Sequence, residues 1–355
     1  MKNTGSYLET AHPIGAEICR DALWFSDQCN WLGDTPDRNP GSSRSLATST
    51  LGANLYSGTI GVAVFLAHLS KRTNESWFAE CALGAARLAY AKSADLEPRS
   101  SPGFYDGLPG IAYGLIEIGH TLDNEDVREM GNKLLTRVNQ CSEWNTVDII
   151  YGAAGVILGL SDIRERFACG LSDDLFEKLG SSLQRAAEFS DLGCSWATLP
   201  RKTEHNLTGF AHGVAGIVTS LARLKTLFAT SEYDRAIADG LAYEEHWYDE
   251  SARNWPDFRQ PDQIRENRQN ARSNIRAWCH GAPGILLSRL ALHAWGVLPG
   301  GDMSLKQSLT ATDADLRAKR RVSKNFSLCH GLAGNAEILL YASRLLPDHA
   351  MLRCN

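Results

Sequence analysis

The strongest constraint on the fold is a Gly-x-x-Gly motif that occurs six times and each time leads into an apolar run. Successive copies lie 45 to 68 residues apart, which leaves room for two helices and their turns in every repeat. One such motif carries little information, but six in the same context predict a repeat protein built from helical hairpins. The first glycines of the copies are Gly58, Gly107, Gly152, Gly213, Gly281 and Gly331.

The two helices of each repeat differ in their hydrophobic pattern. The run after the glycine pair is apolar on nearly all sides, as in Val156–Leu160, so it must be buried on most sides. The second stretch, such as Asp174–Phe189, is amphipathic. An inner ring of buried helices inside an outer amphipathic ring satisfies both patterns, whereas a linear solenoid would leave an apolar edge. We therefore predict an all-α fold, an α/α toroid, in a single domain over residues 1–355.

Two of the six copies carry a Cys-His pair directly before the first glycine, at Cys279-His280 and Cys329-His330. A lone pair of this kind is more often packing than a ligand set. Its repetition in the same local context indicates a metal ion held between two helix starts. Thiolate and imidazole suit zinc, so a Zn2+ site is predicted. The other four copies also have a polar residue at this position, namely Ser57, Asp106, Tyr151 and His212.

Bulk composition excludes several classes of function. Hydrophobic residues make up 43% of the chain, the formal net charge is −5 and the isoelectric point is about 6.1. A nucleic-acid surface needs a basic stripe, so none is expected. No apolar stretch reaches the roughly 18 residues of a membrane span, and the first residues lack the apolar core of a signal peptide. We predict a cytoplasmic protein whose nine cysteines are thiols or ligands.

Seven short motifs in a fixed order give the chain a recognisable family resemblance. Together they resemble the lanthionine synthetase C-like family, and most closely the C-terminal cyclase domain of class II lanthipeptide synthetases. Such a set, spread over most of the chain, is far more specific than any one motif. The motifs are Cys29–Gly33, Asn54–Gly58, Asp148–Gly152, Gly209–Gly213, Asn254–Asp257, Trp278–Gly281 and Ser327–Gly331.

The resemblance implies a toroid with zinc at its centre, and an enzyme that adds a peptide Cys thiol to dehydroalanine or dehydrobutyrine to close a thioether ring. Cys279, Cys329 and His330 match the family's zinc ligands. Three protein ligands leave one tetrahedral position open, as in catalytic zinc sites. His280 as a fourth ligand would block that position, so a role beside the site is favoured over ligation.

Three further residues match the family's catalytic positions. His212 corresponds to the histidine that is expected to protonate Cα after the addition, although interior histidines are often structural. Asp148 corresponds to its acidic partner, and a helix-capping role is the alternative. Arg276 is the candidate for stabilising the enolate. The segment Arg265–Arg276 is equally compatible with a substrate groove and with a solvated surface.

Two departures from the family bear on the substrate and on closure of the ring. Class II synthetases carry a dehydratase domain upstream that this sequence lacks, so a separate dehydratase is expected to supply the substrate. The family also has a seventh glycine-motif helix, whereas this sequence ends soon after the sixth, at Leu352–Asn355. The N-terminal helices or a partner would then have to fill the place of the missing helix.

Three functions are compatible with these features. The first is a zinc-dependent lanthipeptide cyclase that acts on a dehydrated precursor peptide. The second is a transferase that adds glutathione or another small thiol to dehydroamino acids by the same zinc chemistry. The third is a non-catalytic peptide-binding remnant of a class II synthetase. The class II motifs weigh against the second, and the intact set of soft ligands argues against the third.

Overall fold

A computed structural model describes residues 4–36, 46–96, 102–167, 169–199, 203–259, 275–299 and 302–347. Residues 265–274 and 352–355, on which two of the sequence expectations depend, lie outside this part of the chain. The described residues form mainly α-helices, and none of these helices is long and apolar enough to cross a membrane. The all-α prediction is therefore confirmed.

The helices are α1 (Thr4–Arg20), α2 (Thr59–Thr73), α3 (Ser76–Lys92), α4 (Leu108–Thr121), α5 (Glu125–Asn139), α6 (Ala153–Arg166), α7 (Asp173–Arg185), α8 (Val214–Phe228), α9 (Asp234–His246), α10 (Ala282–Ala294), α11 (Ser304–Lys319) and α12 (Leu332–Leu345), with a 3-10 turn at Ser93–Asp95. Six short strands pair as three antiparallel hairpins. They are β1 (Leu23–Phe25) with β2 (Gln28–Asn30), β3 (Leu32–Pro36) with β4 (Leu46–Thr50), and β5 (Ala187–Ser190) with β6 (Gly193–Trp196).

The six glycine motifs each start a helix. α2, α4, α6, α8, α10 and α12 all begin at the residue that follows the first glycine. Burial on most sides, which the sequence pattern requires, is clearest in α8, where every residue from Val214 to Leu224 is buried. In α12 burial is confined to Leu332, Gly334, Asn335, Ile338 and Ala342. The second helix of a repeat is amphipathic, and α5 buries one stripe: Val127, Gly131, Leu134, Leu135 and Val138.

The second glycine of the motif is needed for close backbone approach. In several repeats the turn ahead of the helix passes over the helix start, where the carbonyl oxygen six residues earlier occupies the space of a Cβ. A Cβ on Gly110 would overlap the carbonyl oxygen of Phe104, and one on Gly284 would lie 2.7 Å from that of Trp278. Any larger residue would displace the turn, which explains why glycine recurs there.

The chain divides into two compact units, one comprising Met1–Ser142 and Gly159–Leu175 and the other Glu143–Leu158 and Phe176–Asn355. A single domain over residues 1–355 stays a prediction. In the second unit, α10, α11 and α12 share an apolar cluster of Leu286, Leu290, Leu309, Ile338 and Ala342.

A buried ion pair joins α9 and α10 within the second unit. Arg289 Nη2 lies 2.6 Å from Glu244 Oε2, and both side chains are at most 1% exposed. Arg289 Nε also donates to Ser304 Oγ, while Glu244 Oε1 is buried without a hydrogen-bond partner among the described residues. Because burial outweighs the attraction of Arg289, the pKa of Glu244 is raised to about 7.

Candidate metal centre

Two thiols and one imidazole converge in the second unit. The Sγ atoms of Cys279 and Cys329 and a ring nitrogen of His330 lie within 4.8 Å of one another. This is the one group of three or more Cys, His, Asp or Glu with such spacing in the part of the chain that the structure describes. Cys279 is buried, Cys329 half-buried and His330 exposed, so the cluster opens to solvent on one side.

Hydrogen bonds within the turns hold the residues of this cluster in place. Ala277 and His280 exchange N–H···O bonds of 3.0 and 3.1 Å around Cys279. Ahead of α12, the backbone N–H of His330 donates to Ser327 Oγ, and that of Gly331 to the Ser327 carbonyl. The backbone of both turns is therefore fixed by the protein itself.

Asn254 joins a separate loop to the Cys279 turn. Its Oδ1 accepts from the backbone N–H of Ala282 at 2.8 Å, which caps the start of α10. Its Nδ2 donates to the carbonyl of Ile275 at 3.2 Å. Since Asn254 is 1% exposed, this amide bridges the two segments inside the protein.

The donor set fits a soft divalent cation. A hydrogen bond with Cys329 and burial raise the pKa of Cys279 above its usual value, because both favour the neutral thiol over the thiolate. Two sulfurs and an imidazole nitrogen in mutual reach are the ligands that zinc prefers. Cys279, Cys329 and His330 can therefore hold a metal ion of this kind.

His280 lies beside the cluster and is engaged elsewhere. Its Nε2 donates to the carbonyl of Pro256 at 3.1 Å, and the ring is 2% exposed. Burial lowers the pKa of His280, which favours the neutral imidazole. Gly209 makes this packing possible, since a Cβ there would lie 2.5 Å from Nδ1 of His280.

A second pair, His212 and Asp148, is tied to the same turns. His212 Nδ1 lies 2.6 Å from Asp148 Oδ2, with the carboxylate buried and the imidazole 22% exposed. Asp148 Oδ1 accepts from the backbone N–H of Tyr151, so the acid both stabilises its own turn and holds the histidine. The ring of Tyr151 stacks against that of His212 with centroids 5.8 Å apart.

Backbone hydrogen bonds link the turns in series. The N–H of Ile149 donates to the carbonyl of Ala211, and the N–H of Ala211 donates to the carbonyl of Cys279, both at 3.0 Å. The turns that carry Asp148, His212 and Cys279 are thus joined edge to edge. This brings an acid–imidazole pair to the turn next to a buried thiol.

Arg276, the sequence candidate for enolate stabilisation, is engaged with the protein. Its Nη2 donates to the carbonyl of Ala252, and Nη1 lies 3.7 Å from Asp315 Oδ1. Its Nε is buried without a hydrogen-bond partner among the described residues. Its own carbonyl accepts from Asn335 Nδ2, which links the turn to α12.

The structure adds a charged pair that the sequence did not assign to the site. Asp257 and Arg259 follow Asn254 in one loop, and their side chains form a two-point ion pair. Burial by itself would raise the pKa of Asp257, but the bonds from Arg259 outweigh it and the pKa is lowered. The motif Asn254–Asp257 marked this loop, and only the contacts show that Asp257 pairs with Arg259.

Comparison with known proteins agrees with the architecture. A family model described as lanthionine synthetase C-like protein matches residues 49–354. Among solved structures, nisin cyclase aligns with a TM-score of 0.63 at 19% sequence identity, over 98% of this chain and 84% of that one. At this identity the likeness shows the fold, and it confirms the predicted toroid class. No curated protein matches the sequence.

Proposed function

We propose that this chain, which belongs to the lanthionine synthetase C-like family, is a zinc-dependent lanthipeptide cyclase. The observation that carries the proposal is the cluster of Cys279, Cys329 and His330, with a paired His212 on the adjoining turn. The likeness to a protein named nisin cyclase supports a peptide substrate. The substrate is a precursor peptide that contains dehydroalanine or dehydrobutyrine together with free Cys.

Cys279, Cys329 and His330 would hold the metal ion. A bound zinc ion supplies a Lewis acid that favours the ionised form of an incoming peptide thiol at neutral pH. The exposed side of the cluster, at His330, is where a peptide thiol can approach. Burial of Cys279 keeps the opposite side dry.

His212 would deliver the proton that completes the addition. The thiol sulfur forms a bond with the β-carbon, the π electrons of the C=C bond move toward the carbonyl as an enolate, and a proton is then added at Cα. Asp148 occupies Nδ1 of His212, so Nε2 is the nitrogen that can donate. The carboxylate stabilises the protonated ring and fixes its orientation. The thiol loses one proton and Cα gains one, so the ring closes without a change in mass.

Arg276 stays our candidate for stabilising the enolate. A separate dehydratase would prepare the substrate. A cytoplasmic location suits the reaction, because both the ligand thiols and the substrate thiols must stay reduced.

The proposal is tested with a synthetic peptide that carries one dehydroalanine and one Cys. The zinc-loaded protein is incubated with the peptide, and free thiols are then alkylated and counted by mass spectrometry. We expect the peptide to become resistant to alkylation at unchanged mass. A peptide that stays fully alkylatable would refute the proposal. A gain of one glutathione, in a parallel incubation with glutathione, would reassign the thiol donor.

A further inference from the structure

Arg259 is held by Asp257 along one edge of its guanidinium group. Nε donates to Oδ1 at 2.9 Å and Nη2 to Oδ2 at 2.6 Å. The backbone N–H of Arg259 also donates to Oδ1 at 3.0 Å, so the carboxylate fixes both the side chain and the backbone. None of the hydrogen bonds seen within the described ranges uses Nη1, which lies on the other edge of the group.

The loop that carries this pair is fastened to the metal-ligand turn. Asn254 caps α10 from the loop, and the carbonyl of Pro256 accepts from His280, the neighbour of Cys279. The hydrogen bonds to Asp257 raise the pKa of Arg259, and the charges of Cys279 and Cys329 raise it further. The loop that carries the guanidinium is therefore held at two points, Asn254 and Pro256, against the turn of Cys279.

The charge balance of the cluster shows why a positively charged side chain such as Arg259 would be needed near it. Two thiolates, a neutral imidazole and a divalent cation sum to zero. A third thiolate from the substrate would leave one net negative charge in a half-buried site, which is costly unless a cation lies nearby. An arginine keeps its charge at every relevant pH and can donate hydrogen bonds. Asp257 binds the Nε edge of the Arg259 guanidinium, so the Nη1 edge is the one that can donate to a further group.

We propose that Arg259, fixed by Asp257, favours the ionised thiol of the incoming peptide at the cluster of Cys279, Cys329 and His330. The inference rests on the proposed function and names a further residue for it. It assigns to Arg259 a role that sequence analysis gave to no residue. Arg276, whose Nη2 and Nη1 face Ala252 and Asp315, is less free to take it.

The test uses the cobalt(II)-substituted protein, because thiolate ligation to cobalt produces a charge-transfer absorption in the near ultraviolet. A short Cys peptide without dehydro residues is titrated at one fixed pH while this absorption is followed. In R259Q we expect the half-saturating peptide concentration to rise roughly 10- to 100-fold, the range of a hydrogen bond to a charged group. R259K should lie between R259Q and the wild type, since it retains the charge without the fork geometry. D257N, which loosens the clamp, should also weaken binding.

Two controls separate a site effect from a structural one. Arg317 on α11 is also paired with an Asp, since its Nε donates to both carboxylate oxygens of Asp313 at the protein surface, so R317Q should titrate as the wild type does. The same peptide with Ser in place of Cys should leave the absorption unchanged.

The outcomes are distinguishable. Half-saturation of R259Q at the wild-type concentration, with cobalt bound, overturns the role of Arg259 and leaves the proposed function standing. If R259Q does not retain cobalt, the half-saturating peptide concentrations of R259K and D257N are compared with that of the wild type instead, and wild-type values for both overturn the role of Arg259. If the wild-type protein binds cobalt and shows no thiol-dependent absorption, the proposed function fails and this inference fails with it.

Discussion

His212 Nδ1 and Asp148 Oδ2 lie 2.6 Å apart across 64 residues of sequence. The carboxylate is 3% exposed, so water competes little for this hydrogen bond. The bond fixes the imidazole ring and leaves its second nitrogen as the one that can exchange a proton with a substrate. Asp148 is therefore expected to act through His212.

Replacing Asp148 with Asn should impair the chemical step and spare the metal site. An amide has one acceptor oxygen, so it cannot serve both His212 and the backbone N–H of Tyr151, and it cannot stabilise the protonated imidazole. We expect kcat for thioether formation to fall about 10²- to 10⁴-fold, the usual range for general acid–base catalysis. Thiol alkylation over time gives the rate, and metal quantification serves as the control. A normal rate in D148N would remove Asp148 from the mechanism.

Removing a ligand of the cluster should abolish stoichiometric metal binding. In Cys279→Ser and His330→Ala, bound zinc should fall well below the wild-type content, because a thiolate or an imidazole ligand is lost. A chelator should lower the melting temperature of the wild type and leave that of these variants unchanged, since metal bound to the native state stabilises it by mass action.

Cys194→Ala is the matched control for the ligand variants. Cys194 is fully buried on β6 and lies outside the cluster, so its loss should lower stability without changing the metal content. Full metal content in both ligand variants would contradict the assignment of the site.

Adding a methyl group to the second glycine of the last motif should disturb the fold locally. A Cβ on Gly334 would overlap the carbonyl oxygen of Leu328, directly before Cys329. We expect Gly334→Ala to lower the free energy of unfolding by about 1–3 kcal/mol, as overpacking usually does, and to weaken metal binding by shifting the ligand turn.

Gly170 provides the comparison for the glycine test. No atom lies within 4 Å of a Cβ built on it, so Gly170→Ala should change stability by less than about 0.5 kcal/mol. Urea unfolding of the two variants measures the difference. An equal change in the free energy of unfolding for Gly334→Ala and Gly170→Ala would mean that close backbone approach does not explain the glycine at position 334.

Breaking the pair of Arg289 and Glu244 should cost stability in a pH-dependent way. Arg289→Met leaves the buried carboxylate of Glu244 without its ion-pair partner, and we expect the free energy of unfolding to fall by about 3–5 kcal/mol at pH 8. The pKa of Glu244 is already raised to about 7 with Arg289 present, so the native state binds a proton that the unfolded chain has lost. A folded-state pKa above the unfolded value lowers stability as pH rises between the two values. The loss should therefore be smaller at pH 5.

Urea unfolding at pH 5 and pH 8, each relative to the wild type, measures this effect. The double variant Glu244→Gln with Arg289→Met removes the titrating group, and its loss should be nearly the same at both values. An equal loss for Arg289→Met alone at the two pH values would exclude the burial of a charged Glu244 as the cause.

The local pattern of the chain was enough to predict the all-α class and the helices that follow the glycines. Apolar runs such as that of α8 have to be buried, and glycine is required where a carbonyl oxygen occupies the space of a Cβ, as at Gly110. The repeated Cys-His pairs likewise marked Cys279 and Cys329, which the structure brings together in a cluster that can hold a metal ion. These features depend on short-range chemistry, which sequence records directly.

Only the tertiary structure decided which partner each polar group has. It holds Nδ1 of His212 against Asp148, turns His280 toward Pro256, and pairs Asp257 with Arg259 on the loop that caps α10. Hydrogen bonds and fields of this kind join segments tens of residues apart, and their strength depends on burial. The spacing of residues along the chain shows neither which distant segments meet nor how deeply they are buried. The roles of these side chains could therefore be inferred only from the tertiary structure.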